Sequence, residues 1–175
     1  MKIKKMMLAA CCLVMAAGAW GPAQAGNADA SVGKKLDALG LKYEVDADGD
    51  YKLLFEVEGG RSQIVWVRSP VETLGNMRIR EVLSIAGKSP KPKNDEEVAS
   101  AAVMATAALM DASKKKLGGW VLKGADDNQA FYYVAQIPAD ASADDLKSVV
   151  VSVANGTDGF EQMIEAINGT EKDKY

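Results

Sequence analysis

The sequence predicts an α+β fold, an antiparallel sheet of about five to six strands with three helices, in the order α-β-β-β-β-α-β-β-α. Three observations point to it. Tyr51, Leu53, Phe55 and Val57 recur at every second position, the period of a half-buried strand. Turn sequences rich in Gly, Asp and Pro divide the first half at short intervals. Apolar residues at three-and-four spacing mark three separate helical stretches.

The first 25 residues stand apart from this pattern. Lys2, Lys4 and Lys5 form a basic start, Met6 to Trp20 carry no charge, and Ala23-Gln24-Ala25 is a small-x-small cleavage pattern. The expectation is a signal peptide over residues 1–25, removed to leave Gly26 first, and a chain that is periplasmic or secreted. Leu8-Ala9-Ala10-Cys11 matches a lipoprotein box in letters, but only Met6 and Met7 separate it from the basic start. The uncharged run of about 15 residues also falls short of the ~20 that span a bilayer. Residues 26–30 form a short lead, 31–169 a single domain and 170–175 a polar tail.

Within the domain, Ser31 is placed to cap a helix carrying Val32, Leu36 and Leu39, with Gly40 ending it. Tyr43 to Val45, the turn Asp46-Ala47-Asp48-Gly49-Asp50, the alternating strand from Tyr51 and the Gly59-Gly60 turn into Arg61 to Arg68 form a three-stranded antiparallel meander. Past Ser69-Pro70 a less regular piece leads to a fourth strand, Met77 to Ile85, whose apolar parity Glu81 interrupts. Asn94 with Glu97 forms a capping box for an alanine-rich helix, with Val98, Ala102, Ala105, Leu109 and Ala112 as its buried stripe. Trp120 to Lys123 and Gln129 to Ile137 read as a hairpin. Ser142 with Asp145 caps a last helix through Leu146, Val149, Val153, Phe160, Ile164 and Ile167.

Composition narrows the chemistry. The chain has 175 residues and no His, and its two cysteines, Cys11 and Cys12, fall in the leader. Losing the leader leaves 150 residues. It removes three lysines and no acid, so 18 basic residues face 24 acidic ones and the net charge moves from −3 to −6. An acidic surface does not select for nucleic acid or anionic lipid, and no apolar run after Gly26 is long enough to span a membrane. Without His or Cys, neither the common activation of a serine nor an ordinary zinc site is available. The reading is therefore of a protein that is not an enzyme, with no catalytic residues, no metal and no cofactor.

Several segments, in order, resemble a known family. Leu36-Asp37-Ala38-Leu39-Gly40-Leu41, Tyr43-Glu44-Val45-Asp46 and Asp48-Gly49-Asp50-Tyr51 resemble the opening of the YbjN family. Gln63-Ile64-Val65-Trp66-Val67, Lys116-Leu117-Gly118-Gly119-Trp120 and Ile137-Pro138-Ala139-Asp140-Ala141-Ser142 are similar to its later strand, helix end and entry to the last helix. The likeness covers roughly residues 31 to 168. It implies a type III secretion chaperone-like fold, a bacterial source and a binding or regulatory role with no active site to carry over. This chain differs in being exported, which moves the expected role to holding a protein or peptide partner, or a second copy of itself, in the envelope.

Candidate sites follow from residue pattern. Both faces of the sheet carry apolar residues, more than a sheet with one wet face needs. Val65, Val67, Tyr132 and Val134 are taken as a partner-binding stripe. The alternative is a carrier or sensor of a small apolar ligand, in a cavity between helices and sheet lined by Trp66, Trp120 and Phe160. The Asp46 to Asp50 run has the alternating carboxylates of a calcium loop, but Tyr51 or Phe55 stands where such a loop needs glycine or glutamate, so it reads as a hairpin turn. Lys114-Lys115-Lys116 reads as the cationic end of a helix. Arg68, Arg78 and Arg80 would face an anion if the third and fourth strands adjoin.

Overall fold

The structure is a computed structural model and describes residues 27–168, so the expected leader and polar tail lie outside the described residues. Its first helix, α1, runs Ala30–Ala38. The cap is Asp29, not Ser31: Asp29 Oδ1 accepts the Ser31 N–H at 2.9 Å. Asp29 is fixed there because its other oxygen pairs with the guanidinium of Arg80. At the far end Gly40 takes φ +66°, and Leu41 N–H donates to Leu36 C=O at 3.0 Å, the closing bond of a Schellman cap.

Strands β1 (Glu44–Val45), β2 (Tyr51–Glu56) and β3 (Ser62–Val67) form the expected antiparallel meander. In the first turn the Asp46 carboxylate accepts the N–H groups of Asp48 and Asp50, each at 3.0 Å. Gly49 supplies the positive φ that the turn requires. The irregular piece after Pro70 contains an additional strand, β4 (Glu72–Leu74), hairpinned onto β5 (Met77–Lys88). The sheet therefore has seven strands, one more than the sequence showed, because three exposed residues bounded by Pro70 and Gly75 carry no apolar period.

After β5 come α2 (Asp95–Ala112), β6 (Gly119–Lys123), β7 (Ala130–Pro138) and α3 (Ala143–Asn168). The sheet order is β1-β2-β3-β5-β7-β6, with β4 on β5. Both side-chain caps form at the starts of α2 and α3. Asn94 accepts the Glu97 N–H at 2.9 Å, and Ser142 Oγ accepts the Asp145 N–H at 3.1 Å.

α2 departs from expectation in its orientation. Its named stripe faces solvent, with Val98 54% and Leu109 72% exposed, while Ala108, Met104 and Ala107 turn inward. Alanines occupy both faces of this helix, so period alone does not choose between them. The fit of the small Ala108 side chain in the cluster with Ala86, Phe131 and Phe160 does. The helix also stops at Ala112, so the lysine run lies beyond its end. Lys115 folds back to Asp111 at 3.3 Å and sits 5.8 Å from the Tyr133 ring centroid.

All three helices pack on one face of the sheet. Val32 and Leu36 of α1 and Leu146, Val150 and Val153 of α3 share a core with Tyr51, Leu53, Val65, Val67, Val82, Tyr133, Ala135 and Ile137. α2 joins the second cluster beside it through Ala108. Alternate residues of every strand therefore point away from the helices.

Candidate functional site

The face turned away from the helices is built by register. Trp66 lies opposite Leu83, and Leu83 opposite Val134; one step along the sheet, Leu54 lies opposite Ile64, and Ile85 opposite Tyr132, which faces Val121. Cross-strand partners share a face, so these eight apolar side chains form one continuous surface. None of them belongs to either core cluster. Among the described residues no helix covers them. Leu54 is 64% exposed and Val121 40%.

This geometry corrects the stripe read from sequence. Val65 and Val67 are fully buried beneath α1 and α3, on the helix side. Tyr132 and Val134 lie on the open side. The four do not share a face because Val65 lies opposite Ser84 and Ser84 opposite Tyr133, which puts Val65 in the parity of Tyr133 and not of Tyr132. Alternation within one strand shows which residues go together, but only inter-strand register links one strand's parity to the next. The residues missed were therefore the opposite parity of β3, Ile64 and Trp66, with Leu54, Leu83, Ile85 and Val121.

The open face is also curved. Glu81 lies opposite Gln136 and Lys123 opposite Ala130, yet Lys123 Nζ stands 3.2 Å from Glu81 Oε2. Six residues of flat strand would separate their rows by ~20 Å, beyond the reach of the two side chains. The sheet is coiled along this diagonal and the face is concave there, in keeping with the twist of strands. Leu83 and Val134 sit in its trough at 5% exposure each, although neither packs in a helix-bearing cluster.

The other pocket expected from sequence is not assembled. Trp120 and Phe160 stack with ring centroids 4.1 Å apart on the helix side, and Trp66 lies on the opposite face. Trp120 Nε1 donates to Asp111 at 2.8 Å, so that ring is packed on its face and satisfied at its edge.

β3 and β5 do adjoin, and the three arginines part company. Arg68 pairs with the buried Asp50 at 2.9 Å, and burial pushes the Asp50 carboxyl up from its ordinary range. Arg80, 2% exposed, is committed to Asp29 and to the carbonyls of Arg68 and Ser69. Arg78 is exposed and makes no side-chain pair among the described residues. It borders a cavity of about 460 Å³ between the start of β5 and the end of β7, in which Ile79 and Pro138 stand opposite each other.

Among the described residues no group of three or more His, Cys, Asp or Glu is arranged to hold a metal ion, and no helix is long and apolar enough to cross a membrane. No protein-family model and no curated protein matches the chain. Among solved structures, the fold is similar to that of YbjN from E. coli, with a TM-score of 0.45 and 11% identity over 80% of this chain and 90% of that one.

Proposed function

We propose that this chain is a non-catalytic binding protein, chaperone-like or regulatory, which holds a protein or peptide partner against the open face of its sheet. The observation that carries this reading is the one-sided packing of the helices, which leaves Leu54, Ile64, Trp66, Ile85, Val121 and Tyr132 as a continuous apolar surface. Contiguous apolar surface of this kind on a folded protein marks an interaction site. The bacterial envelope is proposed as its place, on the strength of the basic start, uncharged run and Ala23-Gln24-Ala25 pattern.

The test is a comparison of two surfaces in one experiment. The purified protein and its Leu54→Glu variant are used to capture partners from envelope extract, with light scattering to detect a second copy and intact-mass analysis of envelope material to locate the first residue. The reading expects a protein beginning at Gly26, saturable capture or self-association by the parent, and its loss in Leu54→Glu without change in unfolding midpoint. Equal association by the two proteins would remove the surface from the account. Retention of residues 1–25 would remove the proposed location.

A further inference from the structure

We propose that the free edge of β6 pairs with β6 of a second copy of this chain, joining two sheets into one and setting the two α2 helices side by side. The proposal does not rest on the open-face reading, and Val121 alone belongs to both surfaces.

β1, β4 and β6 each pair on one side only among the described residues, and two of these edges are blunted. β1 is two residues long and runs into the acidic turn, while β4 is three residues long, carries Glu72 and follows Pro70. Short, charged or proline-flanked edges resist pairing with another chain. β6 has none of these devices. It is five residues long, its register with β7 is unbroken, and its one charge is its last residue, Lys123. Val121 and Leu122 are exposed on its two faces.

The helix layer ends at the same edge. α3 packs on β3, β5 and β7, and α2, held by the Trp120 Nε1 hydrogen bond to Asp111, packs on β6. α2 is therefore outermost, and its residues 98–110 carry no charge. Val103, Leu109, Met110, Leu117, Val121 and Leu122 stand 40 to 72% exposed there. α2 is about 27 Å long and β6 about 17 Å. This edge, two layers thick, offers an accessible area on the order of the 800 Å² per partner that a specific interface buries.

Symmetry selects the occupant. Antiparallel pairing of β6 with itself about Val121 sets Val121 opposite its own copy, Trp120 opposite Leu122 of the second copy, and Lys123 opposite Gly119, which has no side chain to meet it. No like charges are opposed. Directly opposite residues share a face, so both helix layers fall on the same side of the joined sheet. A foreign strand would need apolar residues in this register, whereas a second copy already carries them.

The test pairs Val121→Glu with Val121→Lys. By light scattering the purified parent should be a dimer at sub-millimolar concentration. Each variant alone sets like charges face to face across the two-fold axis and should weaken association about tenfold or more, while an equimolar mixture of the two should restore the dimer. Both variants should keep the parent circular dichroism spectrum. In the parent, the outward amides of β6 should exchange faster with solvent on dilution to monomer. Leu54→Glu, on β2 at the other side of the sheet, should leave the dimer intact. Self-association that Leu54→Glu removes belongs to the open face and overturns the proposal. A monomeric parent, a dimer that both Val121 variants keep, or a mixture that stays monomeric overturns it too. Capture of a foreign strand at β6 by a monomeric parent would assign the edge to another partner and overturn it likewise.

Discussion

Arg61 Nε lies 2.6 Å from Asp158 Oδ1, and this contact ties the loop after β2 to the middle of α3. Glu161 and Glu165, further along the same helix face, reach the remaining guanidinium nitrogens at 3.1 and 3.0 Å. Burial alone would push the Arg61 pKa down, but the hydrogen bonds it donates to Asp158 and Glu165 outweigh it and hold it well above its ordinary value. One cation therefore serves three carboxylates. Gln63 supplies a further donor to Glu161.

Replacing Arg61 with Met should leave those carboxylates facing one another in a site that is 7 to 22% exposed. Breaking a buried pair from one side costs about 3–5 kcal/mol, and partial exposure here sets the expectation at the lower end, about 3 kcal/mol. Urea unfolding measures it. A loss under about 0.5 kcal/mol, as for exposed pairs, would show that solvent screens the cluster.

Asp29 gives a pH dependence of defined sign. The hydrogen bond from Ser31 holds its carboxyl below the ordinary value of 3.8, with Arg80 adding to the effect against the opposing influence of burial. A depressed folded pKa contributes stability above 3.8 that is lost as pH falls through the folded value. Asp29→Asn keeps a capping side chain but not the charge. The parent should be the more stable near neutral pH, and the gap should close as pH falls below about 3.8. Guanidinium unfolding of both proteins between pH 2 and 6 reads this; a gap that widens in acid would reverse the assignment.

Val67 and Leu54 offer opposite outcomes for the same chemical change. Val67 is fully buried between sheet and helices, so Val67→Glu places an uncompensated charge in the core, at a cost of several kcal/mol against a total stability of about 5–15. Leu54→Glu adds a charge at a site 64% exposed and should shift the midpoint little. Circular dichroism melts of the two variants decide it, and similar losses in both would mean that Leu54 is covered.

Gly118 and Gly40 separate backbone strain from collision. Both hold positive φ, at 82° and 66°. A Cβ on Gly118 would stand 2.4 Å from the Val134 carbonyl oxygen, while one on Gly40 would meet nothing within 4 Å. Gly40→Ala should cost about 1 kcal/mol from strain. Gly118→Ala should cost more and loosen the β6–β7 pairing, visible as faster amide exchange at Trp120 and Tyr133. Equal costs would indicate that the loop before β6 shifts freely.

The fold was largely legible because its signals are local. The β2 alternation, the Gly40 cap and the Asn94 and Ser142 caps each lie within a few residues of what they specify. The candidate surface was legible only by half. Tyr132 and Val134 are on it, and Val65 and Val67 are not, because facing depends on which residue of β5 stands between β3 and β7. The α2 stripe failed for a related reason: with alanine on both sides, the choice of face belongs to Phe131 and Phe160, distant in sequence. Asp29 and Arg61 were missed altogether, since a single charged residue becomes informative only when its partners on β5 or α3 are in place.

The pairing of β5 with β7 has a consequence for how the molecule is made. These strands form the longest pairing of the sheet, and Ile79 meets Pro138 only after α2 and β6 have been synthesised between them. The ordering entropy of that long connection must be met before the ladder can repay it. α3 supplies four of the fourteen buried residues of the main core and follows every strand in the chain. A nascent chain therefore cannot close its longest strand pairing until β7 has been made.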